Sequence, residues 1–253
     1  MSKIPVGLQL YTLRNETKDD FLGTLRQVAE MGYTAVEFAG YGDIPAVAMK
    51  KALDELGLKT VSSHVGYHLL KDELHQQIEY SLTIGAQYIV CPWLDGNLLK
   101  DETEFSNLME TFRAIGEECK RSGLAFAYHN HAFEFDKVDG QYILDKMYDS
   151  VDAGLMKAEL DLYWVQKKAG EQPKEYLLKY KGRCPLIHVK DMADDEEKSF
   201  AEVGHGIINY PAIFDIAEEA GVQYYIVEQD ACKRPPLESV QMSINYLKSI
   251  GIA

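Results

Sequence analysis

The sequence predicts a single (β/α)8 barrel spanning residues 1–253, and three observations carry that prediction. First, eight short apolar runs of four to six residues, rich in Val, Ile, Leu and Tyr, recur along the chain, as strands buried on both faces of a parallel sheet should. Second, a glycine stands just before seven of them, at Gly32, Gly57, Gly85, Gly123, Gly154, Gly182 and Gly221, in steps of 25, 28, 38, 31, 28 and 39 residues, close to one strand–helix unit each. Such a glycine suits the left-handed residue that ends a helix before the chain turns into a strand. Third, the segments between the runs read as helices, and 253 residues is the usual size of such a barrel.

In chain order, VGLQLY opens the first strand. The segment TKDDFLGTLRQVAEM (17–31) predicts the first helix, with Thr17 as N-cap and Asp19 and Asp20 in its first turn. MGYTAVEF, DIPAVAMKKALDEL (43–56), LGLKTVSSH, KDELHQQIEYSLTI (71–84) and IGAQYIVCP continue the alternation. A long helix over 102–122 leads into SGLAFAYHN, followed by AGLMKAELD and KGRCPLIHV. A helix over 209–220, the run AGVQYYIVE and a helix over 236–250 close the chain. A doubly wound open sheet is the lesser alternative, and no G-x-G-x-x-G follows the first strand to support its dinucleotide-binding version. No internal linker or low-complexity segment interrupts the pattern.

The hydrophobic content of 46% and charged content of 26% are ordinary for a soluble globular protein. The net charge of −14 repels polyphosphate backbones, and no basic patch offsets it, so nucleic acid is not an expected partner. The acidic run DDEE (194–197) reads as a solvated loop. No apolar run approaches the length of a membrane span, and MSKIPVGLQLY enters a strand with no signal peptide before it. Cys91, Cys119, Cys184 and Cys232 have no CxxC spacing and read as reduced thiols of a cytoplasmic protein.

In barrels of this type the active site lies at the C-terminal strand ends. Those ends are polar almost all the way round. Strand 1 offers Gln9 and Tyr11, strand 2 Glu37, strand 3 His64, and strand 4 Trp93 after Pro92. Strand 5 leads into His129, Asn130, His131 and Glu134. Strand 6 offers Asp161 and Trp164, strand 7 His188, Lys190 and Asp191, and strand 8 Glu228 and Asp230. Taken singly, each has a plain structural explanation: Asp161 as a helix N-cap, His64 as a core histidine, Lys190 and Asp191 as a local pair, the two tryptophans as core. Charged groups ending apolar strands are costly to bury unpaired, and their convergence on one rim points to a ligand.

Glu134, Asp161, His188 and Glu228, at successive strand ends and 27, 27 and 40 residues apart, are the candidate cage for one divalent metal ion. Three carboxylates and one imidazole are an oxygen-rich set that favours Mn²⁺, Mg²⁺ or Co²⁺, with Zn²⁺ as the alternative in a catalytic site. Glu37, His64, Trp93, His129, Trp164, Lys190 and Asp191 are the candidate substrate-binding residues. The loop after strand 7 contains GHGI, a weak anion nest. Few basic rim residues and an acidic net charge argue against a phosphorylated ligand.

These motifs resemble the xylose isomerase-like TIM barrel superfamily, the sugar phosphate isomerase/epimerase group, over essentially the whole chain. VGLQLYTLR is similar to its first strand, and YHNHAFEF to the HNH-x-x-EF variant of its fifth strand end. LDLYWVQKKAGEQP, IHVKDM, AEVGHGIINYPAIF and IVEQD resemble the stretches around strands 6 to 8. The resemblance implies a metal held by Asp161, His188 and Glu228, with Glu134 as the fourth ligand supplied by the variant. It also implies proton abstraction next to a metal-bound carbonyl, through an enediolate, in carbohydrate metabolism. Glu134 and Glu228 are then the acid–base pair on opposite faces, and His131 assists.

Three positions depart from the relatives that epimerise free ketoses. Tyr128 stands where they place a ligand Glu, Trp164 where they resemble D-x-x-H, and His205 with Asn209 where GEG and Asp are usual. A lyase acting on a keto-inositol, keto-sugar or keto-glycoside through the same chemistry is therefore the runner-up to a sugar isomerase or epimerase. A multi-metal endonuclease and a non-catalytic sugar-binding barrel are the weaker alternatives. Association into a homo-oligomer is left open, with the loop YHLL (67–70) as a surface for it.

Overall fold

The computed structural model describes residues 4–170 and 172–253; Met1 to Lys3 of the expected domain and Glu171 of the AGEQP stretch lie outside the described residues. Eight strands close into a barrel: β1 (Val6–Gln9), β2 (Ala35–Phe38), β3 (Lys59–His64), β4 (Tyr88–Cys91), β5 (Ala125–His129), β6 (Lys157–Asp161), β7 (Leu186–Val189) and β8 (Tyr224–Val227). Every neighbouring pair is parallel, and β1 closes the ring on β8. This is the (β/α)8 TIM barrel that the sequence predicts.

Eight principal helices surround it: α1 (Phe21–Met31), α2 (Ala46–Leu56), α3 (Leu74–Ile84), α4 (Glu102–Arg121), α5 (Ile143–Ser150), α6 (Pro173–Lys179), α7 (Tyr210–Ala220) and α8 (Pro236–Ser249). The N-cap of α1 is Asp20 rather than Thr17: its carboxylate accepts from the Gly23 N–H at 2.9 Å, while the Thr17 hydroxyl donates back to the Leu13 carbonyl. A separate short helix, Arg14–Asp19, holds the residues assigned from sequence to the start of α1. The short helices α5 and α6 have no counterpart among the helical segments legible in the sequence. They have only eight and seven residues, so an apolar stripe such as Ile143, Leu144, Met147 and Tyr148 on α5 is too short to stand out in the sequence.

Six of the seven pre-strand glycines take a positive φ; Gly154 does not. It lies in the turn after α5, where its N–H donates to the Asp152 carboxylate at 2.7 Å. The DDEE run falls in the loop between two short strands, Asp191–Met192 and Phe200–Ala201, and all four cysteines are free. Among the described residues no helix is long and apolar enough to cross a membrane.

Two apolar cores hold the fold. The larger lies between barrel and helices; α4 presents Phe105, Leu108, Met109, Phe112 and Ile115 to it, all buried. Each such side chain contributes about 1.5–3 kcal/mol on leaving water. The smaller core gathers Ala35, Val61, Tyr88, Val90, Ala127, Leu186, Tyr224 and Ile226. They come from six of the eight strands and belong to the set that alternation points into the barrel.

Candidate metal centre at the barrel mouth

Side chains two apart on a strand share a face. The apolar interior ends where this alternation reaches Glu159 and Asp161 on β6, and His188 and Lys190 at the end of β7. On β5 the same step gives His129 and His131, and on β8 Glu228 and Asp230. Between β2 and β3 the register shifts at Val36/Glu37, bringing Ser62 beside Glu37 and leaving His64 pointing into the mouth.

His129, Asp161, His188 and Glu228 each bring one ligand atom into a group whose members lie within 4.8 Å of one another, and all four are buried. His188 Nδ1 lies 2.9 Å from Glu228 Oε2, and His129 Nε2 lies 3.9 Å from Asp161 Oδ2. Asp161 divides its two oxygens. Oδ1 accepts from the backbone N–H groups of Tyr163 (3.0 Å) and Trp164 (3.3 Å), capping the short helix Leu162–Trp164. Oδ2 faces the group. The helix-cap and metal-ligand readings of this residue are therefore compatible.

The other nitrogen of each imidazole is held from below. Glu37 Oε1 sits 2.7 Å from His188 Nε2, and Glu159 Oε2 sits 3.2 Å from His129 Nδ1 and 2.7 Å from His64 Nε2. Gln9 and Ser62 donate to Glu37 in turn. A carboxylate hydrogen-bonded to the far nitrogen of a ligating imidazole, as Glu37 is to His188 Nε2, fixes which nitrogen faces the ion and raises its basicity; at His129 Glu159 supplies negative charge 3.2 Å from Nδ1. Burial disfavours charge on His188, but Glu159, Glu37 and Glu228 outweigh it and hold its pKa well above the ordinary value. His64 is carried to about 10: burial opposes the shift, and Glu37 and Glu159 drive it. His129 moves the other way; burial, with His188 and His131 nearby, keeps it neutral. His131 falls to about 3, through burial and then Lys190. Two imidazole nitrogens and two carboxylate oxygens, backed by two more carboxylates, suit a borderline divalent ion such as Mn²⁺, Co²⁺ or Zn²⁺. The donor set fits a metal.

The fourth member of this group is His129, expected from sequence as a substrate contact, and not Glu134. The Glu134 oxygens are already engaged: Oε1 accepts from the Tyr128 hydroxyl at 2.7 Å and Oε2 from the His131 N–H at 2.8 Å. Glu134 folds the segment after β5 back on itself and sets the direction of His131. Burial pushes its carboxyl up to about 7, against the hydrogen bond from Tyr128. An acid whose folded pKa exceeds its ordinary value of 4.5 contributes stability that is full below that value and is lost as pH rises through about 7. Between pH 5 and 8, Glu134→Gln should therefore gain roughly 2–3 kcal/mol on the wild type in chemical unfolding. An unchanged difference would show that the carboxyl is not held protonated.

Glu37, fully buried under His188, has no route to a substrate. Asp191 is likewise turned inward. Its carboxylate accepts from the N–H groups of Met192 (2.8 Å), Gly204 (2.9 Å), Gly206 (3.1 Å) and Ile208 (3.1 Å). The backbone nest read in GHGI is thus filled by this chain's own carboxylate, and a Cβ at Gly206 would collide with it. Trp164 packs against Tyr163 and Phe200, with His131 at 6.1 Å. Trp93 is 57% exposed at the rim.

A cavity of about 360 Å³ opens above the group, lined by Tyr11, Ala39, His64, Pro92, Trp93, His129, His131, Glu228 and Asp230. Its size and its mix of rings and polar groups suit a small sugar. Glu159 and Tyr11 are absent from the site residues proposed from sequence. The signal for Glu159 was its place two residues before Asp161, on the same strand face.

The geometry agrees with comparisons to known proteins. The description "Xylose isomerase-like TIM barrel" matches residues 25–250. A solved sugar phosphate isomerase/epimerase from Parabacteroides distasonis superposes with a TM-score of 0.84 at 27% identity, covering 100% of this chain and 96% of that one. Inosose dehydratase from Clostridium beijerinckii is 23% identical over 270 residues, covering 91% of this chain and 90% of the relative. For the inosose dehydratase of Clostridium perfringens the match is 25% over 176 residues, 62% of this chain and 58% of the relative, so the chain spans little more than half of that relative's length. By the extent of the first match, the chain belongs to the xylose isomerase-like TIM barrel family.

Proposed function

We propose that the chain is a divalent-metal-dependent sugar isomerase or epimerase that removes a proton next to a carbonyl of a small neutral sugar or keto-sugar. The observation that carries this reading is the convergence of His129, Asp161, His188 and Glu228 at the floor of a sugar-sized cavity, with Glu37 and Glu159 aligning the two imidazoles from below. A bound divalent ion would supply Lewis-acid polarisation of the substrate carbonyl and hold its neighbouring oxygen.

The chain's own groups do the rest. Glu228 stands at the cavity wall and is the base for the proton. His131, on the β5 side of the same cavity and neutral, exchanges protons with a substrate hydroxyl. His64, kept cationic by Glu37 and Glu159, donates to a substrate oxygen. Trp93 and Tyr11 at the rim offer ring faces to the apolar side of the sugar.

A lyase acting on a keto-inositol or keto-sugar is the second reading, and the position of Glu134 favours it. Epimerisation by two bases needs carboxylates on both faces of the substrate, and the hydrogen bonds of Glu134 draw it away from one of them. One base suffices for proton removal followed by loss of a hydroxyl. The names of the inosose dehydratase relatives support the same reading.

The test is incubation of Mn²⁺- or Co²⁺-loaded protein with ketoses and keto-inositols in heavy water. Deuterium entering next to the carbonyl of a recovered sugar is the expected result for an isomerase or epimerase, and loss of water with a new enone absorbance for a lyase. Neither exchange nor elimination across the panel would overturn the proposal.

A further inference from the structure

The Lys190 ammonium reaches two members of the candidate cage. Its ammonium is 2.7 Å from Asp161 Oδ2, 2.7 Å from Glu228 Oε2 and 2.7 Å from Asp230 Oδ2, and its side chain is fully buried. The first two are the very oxygens that Asp161 and Glu228 contribute to the candidate cage. A divalent ion bound through them competes with the ammonium for the same lone pairs, and the two positive charges repel at this range.

The backbone at this point is anchored on both sides. The Lys190 N–H donates to the Tyr210 hydroxyl oxygen at 2.7 Å, and the same hydroxyl donates back to the Lys190 carbonyl at 2.8 Å. Movement is left to the side chain. Of its three partners only Asp230 stands outside the cage, and Asp230 lines the cavity.

We propose that Lys190 is a resident cation that neutralises the cage before metal uptake and is displaced on uptake. The ammonium releases Asp161 and Glu228 and retains Asp230. There it sits on the cavity wall, a charged donor for the substrate oxygen nearest the ion. Metal binding and the placement of this donor are then one event. The inference rests on the metal reading above.

Isothermal titration of the full chain, stripped by chelation and titrated with Mn²⁺ alone, separates the two. Lys190→Met is expected to bind Mn²⁺ at least about tenfold more tightly than the wild type, since nothing need be expelled. Its metal-free form is expected to melt lower than the wild type's and to gain more on Mn²⁺ addition. Asp230→Asn, which removes the retreat, is expected to weaken Mn²⁺ binding in the wild type and to have a smaller effect in the Lys190→Met background. Equal or weaker Mn²⁺ binding by a folded Lys190→Met, or an equal effect of Asp230→Asn in both backgrounds, would overturn the displacement and leave the metal site standing. Wild type that takes up no Mn²⁺, Co²⁺ or Zn²⁺ would overturn both.

Discussion

Asp161→Asn and His188→Ala should each give a folded barrel without bound divalent metal and with turnover reduced at least about 10³-fold, the scale of losing the group that polarises the carbonyl. Asparagine is the sharper change at 161. Its side-chain oxygen can still cap the short helix Leu162–Trp164, the role filled by Asp161 Oδ1. What disappears is the anionic oxygen facing His129 and Lys190. Alanine there would add the loss of a cap, about 1 kcal/mol, and blur the result. Among the described residues only His188 touches both Glu228 above and Glu37 below, so its removal opens both layers at once. Metal content by elemental analysis, beside a circular dichroism melt, checks the prediction; stoichiometric metal in both variants would remove the site assignment.

The second large effect is on stability and lies outside the cage. Asp191→Ala leaves four backbone N–H groups, of Met192, Gly204, Gly206 and Ile208, without the carboxylate that gathers them. Each unsatisfied buried donor costs about 1–3 kcal/mol, and water recovers part of that. A net loss of about 3–5 kcal/mol is expected, a fall in Tm of roughly 10 °C for a chain of this size. Asp191→Asn, keeping one acceptor, should fall between. A melting shift under about 2 °C for the alanine variant would show that the loop does not depend on this carboxylate.

These two residues show how far the sequence could be read. The barrel was legible because buried parallel strands leave continuous apolar runs and helix ends leave glycines, both local signals. Asp161, His188 and Glu228 were visible as polar groups closing apolar runs. The fourth member of the candidate group was not, because HNHAFEF offers three candidates within six residues and spacing cannot say which turns inward. The Tyr128 hydroxyl decides it by holding Glu134, a contact that depends on how the chain folds after β5. The loop-holding role of Asp191 is not legible for a related reason. Its partners lie 13 to 17 residues downstream, in a loop whose path no local pattern reveals. Glu159 and Lys190 follow from alternation alone once Asp161 and His188 are placed on the inner face.

The two apolar cores carry a wider consequence. Cohesion of the molecule resides in the shell between barrel and helices and in the plug of eight residues low in the barrel. None of the four cage residues belongs to either. Exchanges of the cage residues therefore leave both apolar cores intact. A lineage built on this plan can trade one substrate, or one outcome of the same proton removal, for another without repacking either core. Only the anchors beneath the surface, Asp191 under its loop and Glu37 and Glu159 under the imidazoles, tie the drifting upper storey to the foundation.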